Sequence, residues 1–164
     1  MERKKQILMW ALCALFLLVV LVLQDTVLGR MQPFGAPFCL VPVAALCVAM
    51  QQGGEKGSLF CLGAGLLLTL SGTSDGGLWI FFLTLAGGFC GWLCATVFHP
   101  RLIPTVVLSL LSFTVILAVI SLIHIYLEGL PFQTVFRIFR QVASAVPFTP
   151  VFHWCAKALG KVGA

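Results

Sequence analysis

Residues 7–23, 78–98 and 102–127 form three stretches that carry no Asp, Glu, Lys or Arg at all. A helix of about 20 apolar residues crosses a hydrocarbon layer of roughly 30 Å. In lipid no water pairs with exposed backbone groups, so a spanning segment must satisfy its own N–H and C=O groups, as a helix does. The three runs lack the strict alternation of a barrel strand. The rest of the chain fits the same solvent: 60% of the 164 residues are hydrophobic and 9% are charged, where soluble domains carry about 25%. The expectation is an all-α fold, a polytopic transmembrane helical bundle of about six spans, forming one integral membrane domain over residues 1–164.

Reading along the chain, the first span is expected at 7–23, behind Arg3, Lys4 and Lys5. Its apolar run is longer than that of a signal peptide, and it reads as a retained helix. A loop over 24–36 holds Asp25, Arg30 and Pro33. The second span is expected at about 37–50 with Pro42 inside it, then a polar turn over 51–56. The third run, 57–71, is short for a bilayer and is expected to borrow the preceding turn, thin the bilayer or sit partly inside the bundle. A glycine-rich turn over 72–77 carries Asp75. The fourth span is expected at 78–98, the turn His99-Pro100-Arg101 next, and the fifth and longest span at 102–127. Over 128–141, Phe132, Val135, Phe136 and Phe139 fall near helical spacing among Arg137 and Arg140, which suits a short helix lying on the membrane. A sixth span is expected at 142–159, interrupted by Pro147 and Pro150.

The net charge is +5. The basic residues are dispersed at the ends of apolar runs, which speaks for membrane anchoring and against nucleic acid as a partner. With six spans and an internal N-terminus, Arg3, Lys4, Lys5, Lys56, Arg101, Lys157 and Lys161 fall inside, and Arg30, Arg137 and Arg140 outside. That asymmetry places both termini in the cytoplasm.

Ionisable groups inside a membrane mark transport or catalysis, and few are present. Besides cysteines, the spans offer only His124, near an outer helix end, and His153, beside Trp154. Asp25 and Asp75 fall on the outer side, as the two carboxylates of a lipoprotein signal peptidase would. That family sets asparagines beside its aspartates, and this sequence has no asparagine. Ser71, Thr73 and Ser74 supply hydroxyls in a turn without a base at a fixed spacing. The seven cysteines, Cys13, Cys39, Cys47, Cys61, Cys90, Cys94 and Cys155, form no C-x-x-C pair and read as small apolar packing residues. No Walker motif, dinucleotide fingerprint or metal-ligand cluster is present. The expectation is a protein without catalytic residues, cofactor or metal.

A different pattern does recur. Gly57, Cys61 and Gly65 are spaced four apart in the third run, and Gly87, Gly91 and Ala95 in the fourth. Residues four apart share a helix face, and small residues there allow the close backbone approach that drives packing in lipid. Gly57, Gly65, Gly87 and Gly91 are therefore the candidate helix-packing or partner-interface residues.

In this order, Leu23-Gln24 with Thr26-Val27-Leu28, Gly35-Ala36-Pro37, Gly53-Gly54 with Gly57, Gly63-Ala64-Gly65-Leu66-Leu67-Leu68, Gly76-Gly77-Leu78 and Thr84-Leu85-Ala86-Gly87 resemble the rod shape-determining MreD family. The resemblance covers about residues 23–98. Beyond it, the last helices match in length and hydropathy. It departs at Phe38 and Thr69, where the family often carries Asp. The resemblance implies a non-enzymatic component of the bacterial elongation and peptidoglycan-synthesis machinery, a scaffold in the cytoplasmic membrane. Its implied partners are a bitopic MreC-like protein, the MreB filament, and the SEDS glycosyltransferase with its transpeptidase. The competing expectation is the substrate-binding membrane subunit of an energy-coupling-factor vitamin transporter. Such a protein needs a polar pocket, which Trp79, Thr84, His124 and Gln133 would have to line.

Overall fold

A computed structural model describes residues 2–28, 39–72, 76–97, 102–129 and 133–163. The expectations placed on Arg30, Pro33, Gly35, Ala36, Pro37, Phe38, Thr73, Ser74, Asp75, Phe98, His99, Pro100, Arg101 and Phe132 lie outside those residues. Within them nearly every residue is helical: α1 Glu2–Leu23, α2 Leu40–Gln52, α3 Gly54–Leu70, α4 Gly76–Thr96, α5 Leu102–Glu128, α6 Gln133–Ala145 and α7 Thr149–Gly163. Three segments are long and apolar enough to cross a membrane: Gln6–Thr26, Gly77–Thr96 and Leu102–Leu127, with mean hydropathies of 2.8, 1.8 and 2.8. This is an all-helical protein with membrane-spanning character.

The helix α1 presents Met9, Cys13, Leu17, Val20 and Gln24 to the interior, a spacing of three and four that defines one face. Leu8, Leu15, Val19 and Val22 point outward. The helix does not stop at residue 23, where the loop was expected; it continues as a π-helical turn, Gln24–Leu28. The expected loop therefore does not include residues 24–28.

The centre of the bundle is α2. Every residue from Leu40 to Met50 is buried. A helix that is apolar on all sides belongs in an interior, and α1, α3, α4, α5 and α7 all pack against it. Its many small side chains, Ala44, Ala45, Cys47 and Ala49, let those neighbours come close. With 13 residues it rises only about 20 Å. Pro42 lies within α2, as expected, in its first turn. There its missing N–H is one of the donors a helix start leaves unpaired in any case.

The expected polar turn over 51–56 shrinks to one residue. Gly53, at φ 88°, donates its N–H to Ala49 O at 3.1 Å, and its own carbonyl accepts from Gly57 N at 2.8 Å. Gly54, Glu55 and Lys56 already form the first turn of α3, so the short third run does borrow the turn before it. Of all the helix pairs, α3 and α4 make the most extensive contact.

The 27-residue α5 turns Thr105, Ser109, Phe113, Ile116 and Ile120 inward. The expected sixth span, 142–159, is not one element. Residues 142–145 complete α6, Val146–Phe148 form a 3-10 turn around Pro147, and α7 opens at Thr149 with Pro150 in its first turn. The run 142–159 is thus interrupted at its prolines, as expected, with Pro147 in the 3-10 turn and Pro150 in the first turn of the helix that follows. Thr149 Oγ1 ties the joint together by donating to Ala145 O at 2.9 Å.

Candidate helix-packing site

The small-residue positions of α3 and α4 lie at backbone contacts. A Cβ built on Gly57 would stand 2.8 Å from Ala49 O, and one on Gly65 2.7 Å from Ile80 Cα. On α4, a Cβ on Gly87 would meet Cys61 Cβ at 2.7 Å, and one on Gly91 would meet Gly53 O at 2.8 Å and Ala49 O at 3.0 Å. At Gly57, Gly65 and Gly91 the atoms met are backbone, so only glycine fits without a shift of backbone, whereas at Gly87 the neighbour is the Cys61 side chain. Four residues of helix overshoot a full turn by about 40°. The stripe therefore drifts, and Gly57 faces α2 while Gly65, two steps on, faces α4. The same drift removes Ala95 from the seam. Ala95 is exposed, and Cys94, at 2% exposure, holds the inner position. Gly54 and Gly88 also belong to the contact: a Cβ on Gly54 would lie 3.3 Å from Gly88 O, and one on Gly88 3.2 Å from Ser58 Cβ. The adjacent Gly87-Gly88 pair was the signal for them in the sequence.

A second site residue, Gln24, comes from α1. Its Oε1 accepts from the backbone N–H groups of Leu40 at 2.7 Å and Val41 at 3.2 Å, and the residue is 8% exposed. A helix start buried in an apolar bundle has no water for its free donors, and Gln24 takes two of them across a sequence separation of 16 residues. A lone amide ending an apolar run was the only trace of this role in the sequence. At the other end of α2, Gln52 Nε2 donates to Cys13 Sγ at 3.2 Å.

The remaining candidates are scattered. His153 is 2% exposed on α7 and its Nδ1 has no hydrogen-bond partner among the described residues, while Trp154 beside it is 70% exposed. His124 is half-buried on α5. Asp25 is exposed on the π-helical turn. Ser71 Oγ donates to Leu68 O at 2.9 Å, a local helix-end bond. Trp79 is buried and stacks on Phe113 with ring centroids 6.4 Å apart. Thr84 donates to Ile80 O at 2.6 Å and lines a shallow surface hollow with Leu62, Ile80, Phe81 and Leu85. Trp79 and Thr84 thus face different surroundings and do not share a pocket. Gln133 begins α6, and its side chain is outside the description. A second shallow hollow is lined by Pro150, Val151 and Trp154.

All seven cysteines are free thiols, five of them buried. Cys90 Sγ and Ser112 Oγ, 2.9 Å apart, link α4 to α5. Among the described residues no group of three or more His, Cys, Asp or Glu is arranged to hold a metal ion.

Fold and seam together define a helical membrane protein whose specific contacts are backbone-to-backbone approaches at glycine. No protein-family model, curated protein or solved structure matches the chain.

Proposed function

We propose that this chain is a non-enzymatic scaffold of the bacterial cell-shape machinery, similar to the MreD family, in the cytoplasmic membrane. The observation that carries the reading is a coincidence of residues. Those that bear the resemblance also hold α1 to α4 together. Gln24 caps α2, Gly53 joins α2 to α3, and Gly57, Gly65 and Gly87 set the distances between helices. The resemblance thus falls on the parts of the chain that fix its shape. A scaffold needs a rigid apolar body and outward faces for other membrane helices, and no reacting groups. In this reading α1, α2, α3, α4, α5 and α7 make six crossings, α6 lies at the surface, and both termini are cytoplasmic. The partners are an MreC-like bitopic protein, the MreB filament, and the SEDS glycosyltransferase with its transpeptidase.

Co-purification from bacterial membranes tests this. Recovery of an MreC-like protein with the tagged chain is the expected result. Recovery of a transporter ATPase in its place, with no MreC-like protein, overturns the scaffold reading in favour of a transporter subunit.

A further inference from the structure

Three buried side chains stand apart from the main core and form a contact cluster of their own: Met50 of α2 with Cys90 and Cys94 of α4, and Leu108 of α5 packed against them. All three carry sulfur, and none is more than 2% exposed. Cys90 and Cys94 are four residues apart, so they share one helix face, with Cβ atoms about 5–6 Å apart. Their thiols are close enough to influence each other electrostatically. Gly91 follows Cys90 directly. A Cβ there would stand 3.0 Å from Ala49 O, so α4 is drawn onto α2 at the residue before Met50. On the side of α5, Ser112 Oγ lies 2.9 Å from Cys90 Sγ.

Packing alone would be served here by any apolar side chain of the right size. Three sulfurs in one cluster add the capacity to bind a soft metal ion, because thiolate and thioether donors select Cu(I). Hard ions such as Mg(II) and Ca(II) take oxygen ligands. Zn(II) takes four ligands in a structural site, one more than the cluster supplies. The position also suits an ion. Met50 is two residues from the end of α2 at Gln52, and Cys94 is two residues from the end of α4 at Thr96. The cluster therefore sits beside two helix ends, about 3 Å of helix rise from each, where an ion has a short way in.

We propose that Cys90, Cys94 and Met50 form a Cu(I) site that bridges α2 and α4. Thiols bind as thiolates and release their protons. Two S–H bonds break, two S–Cu bonds form, both protons leave to solvent, and the copper stays Cu(I) throughout. The Ser112 hydroxyl can turn its O–H toward Cys90 and donate to the charge left on that sulfur. The Met50 thioether completes a set of three sulfurs without adding charge. The site requires only the contact of α2 with α4, so it stands or falls apart from the scaffold role.

The test uses the full chain, reduced and purified without air in a neutral detergent. Cu(I) is offered as its complex with the colorimetric chelator bicinchoninate. The wild type should take up about one Cu(I) per chain. It should also melt at a higher temperature with the ion, since a ligand of the folded state stabilises it. C90S/C94S should lose that uptake, and C155S, altered outside the cluster, should keep it. X-ray absorption at the copper edge should count three sulfur neighbours in the wild type and two in M50L. No uptake by the wild type overturns the assignment and leaves packing as the cluster's role. Uptake by C90S/C94S equal to the wild type also overturns it, and marks adventitious binding by the other thiols. If C90S/C94S fails to fold, M50L decides, because Leu and Met are close in volume. Three sulfur neighbours in M50L then overturn the assignment.

Discussion

The side-chain carbonyl of Gln24 accepts the backbone N–H of Leu40 at 2.7 Å, so the start of the central helix is capped by a residue of the helix before it. The same oxygen takes Val41 N–H at 3.2 Å. Leaving a buried donor unpaired costs about 1–3 kcal/mol. Gln24→Leu should therefore destabilise the protein by about 2 kcal/mol or more, read as an earlier melting transition in detergent. A variant that melts with the wild type would show that Gln24 is not the cap.

Gly91→Leu should disrupt the bundle, because any side chain there meets Gly53 O and Ala49 O. Overpacking of a tight interior typically costs about 1–3 kcal/mol. The comparison variant is Leu85→Ile, at a position 60% exposed, where little should change. Leu83 on the same helix is fully buried and unsuited to that purpose. In the scaffold reading Gly91→Leu also lowers recovery of an MreC-like partner and rounds the cells. Wild-type melting and recovery for Gly91→Leu would mean that the seam tolerates side chains.

Gly87 and Cys61 offer a two-residue test. A Cβ on Gly87 lies 2.7 Å from Cys61 Cβ, so Gly87→Ala alone should destabilise. Adding Cys61→Gly should restore part of the loss beyond the sum of the single effects, a coupling on the order of 1 kcal/mol or more. Strictly additive melting shifts would place the two residues out of contact.

Both termini should be cytoplasmic. Fusions to alkaline phosphatase and to green fluorescent protein at each end read this directly. An active C-terminal phosphatase would mean an odd number of crossings.

In the scaffold reading, alanine substitution of Asp25, Asp75 and His153, one at a time, should leave shape maintenance intact wherever the protein still inserts. Asp25 is exposed and His153 is buried on a different helix, so these two form no shared reacting group. Complete loss of function at normal membrane levels for any one of the three would point to chemistry rather than scaffolding.

The parts of the fold that were legible in the sequence are those whose cause is local. Uninterrupted apolar runs define α4 and α5 to within two residues, because nothing within the run competes with helix. The i, i+4 glycines announced close packing for the same reason. That Pro42 and Pro150 fall in first turns was not legible, because a proline in a first turn and one in a helix interior look alike until the helix start is known. Pro147 and Pro150 announced the break at 146–148, but residues 142–145 were assigned to the wrong side of it, because Val142 and Ala145 are apolar whether they end α6 or open a span. Gln24 was invisible as a cap, since its partners lie 16 residues away and the contact exists only once α1 and α2 are side by side.

The burial of α2 also dictates an order of assembly. Its wall includes α7, the last of the described helices. In the six-crossing reading α2 enters the membrane during synthesis long before that wall is complete, with one flank against lipid or against the insertion machinery. The interior closes only when α7 arrives, so the earliest-made half of the bundle waits on the latest-made helix for its final shape.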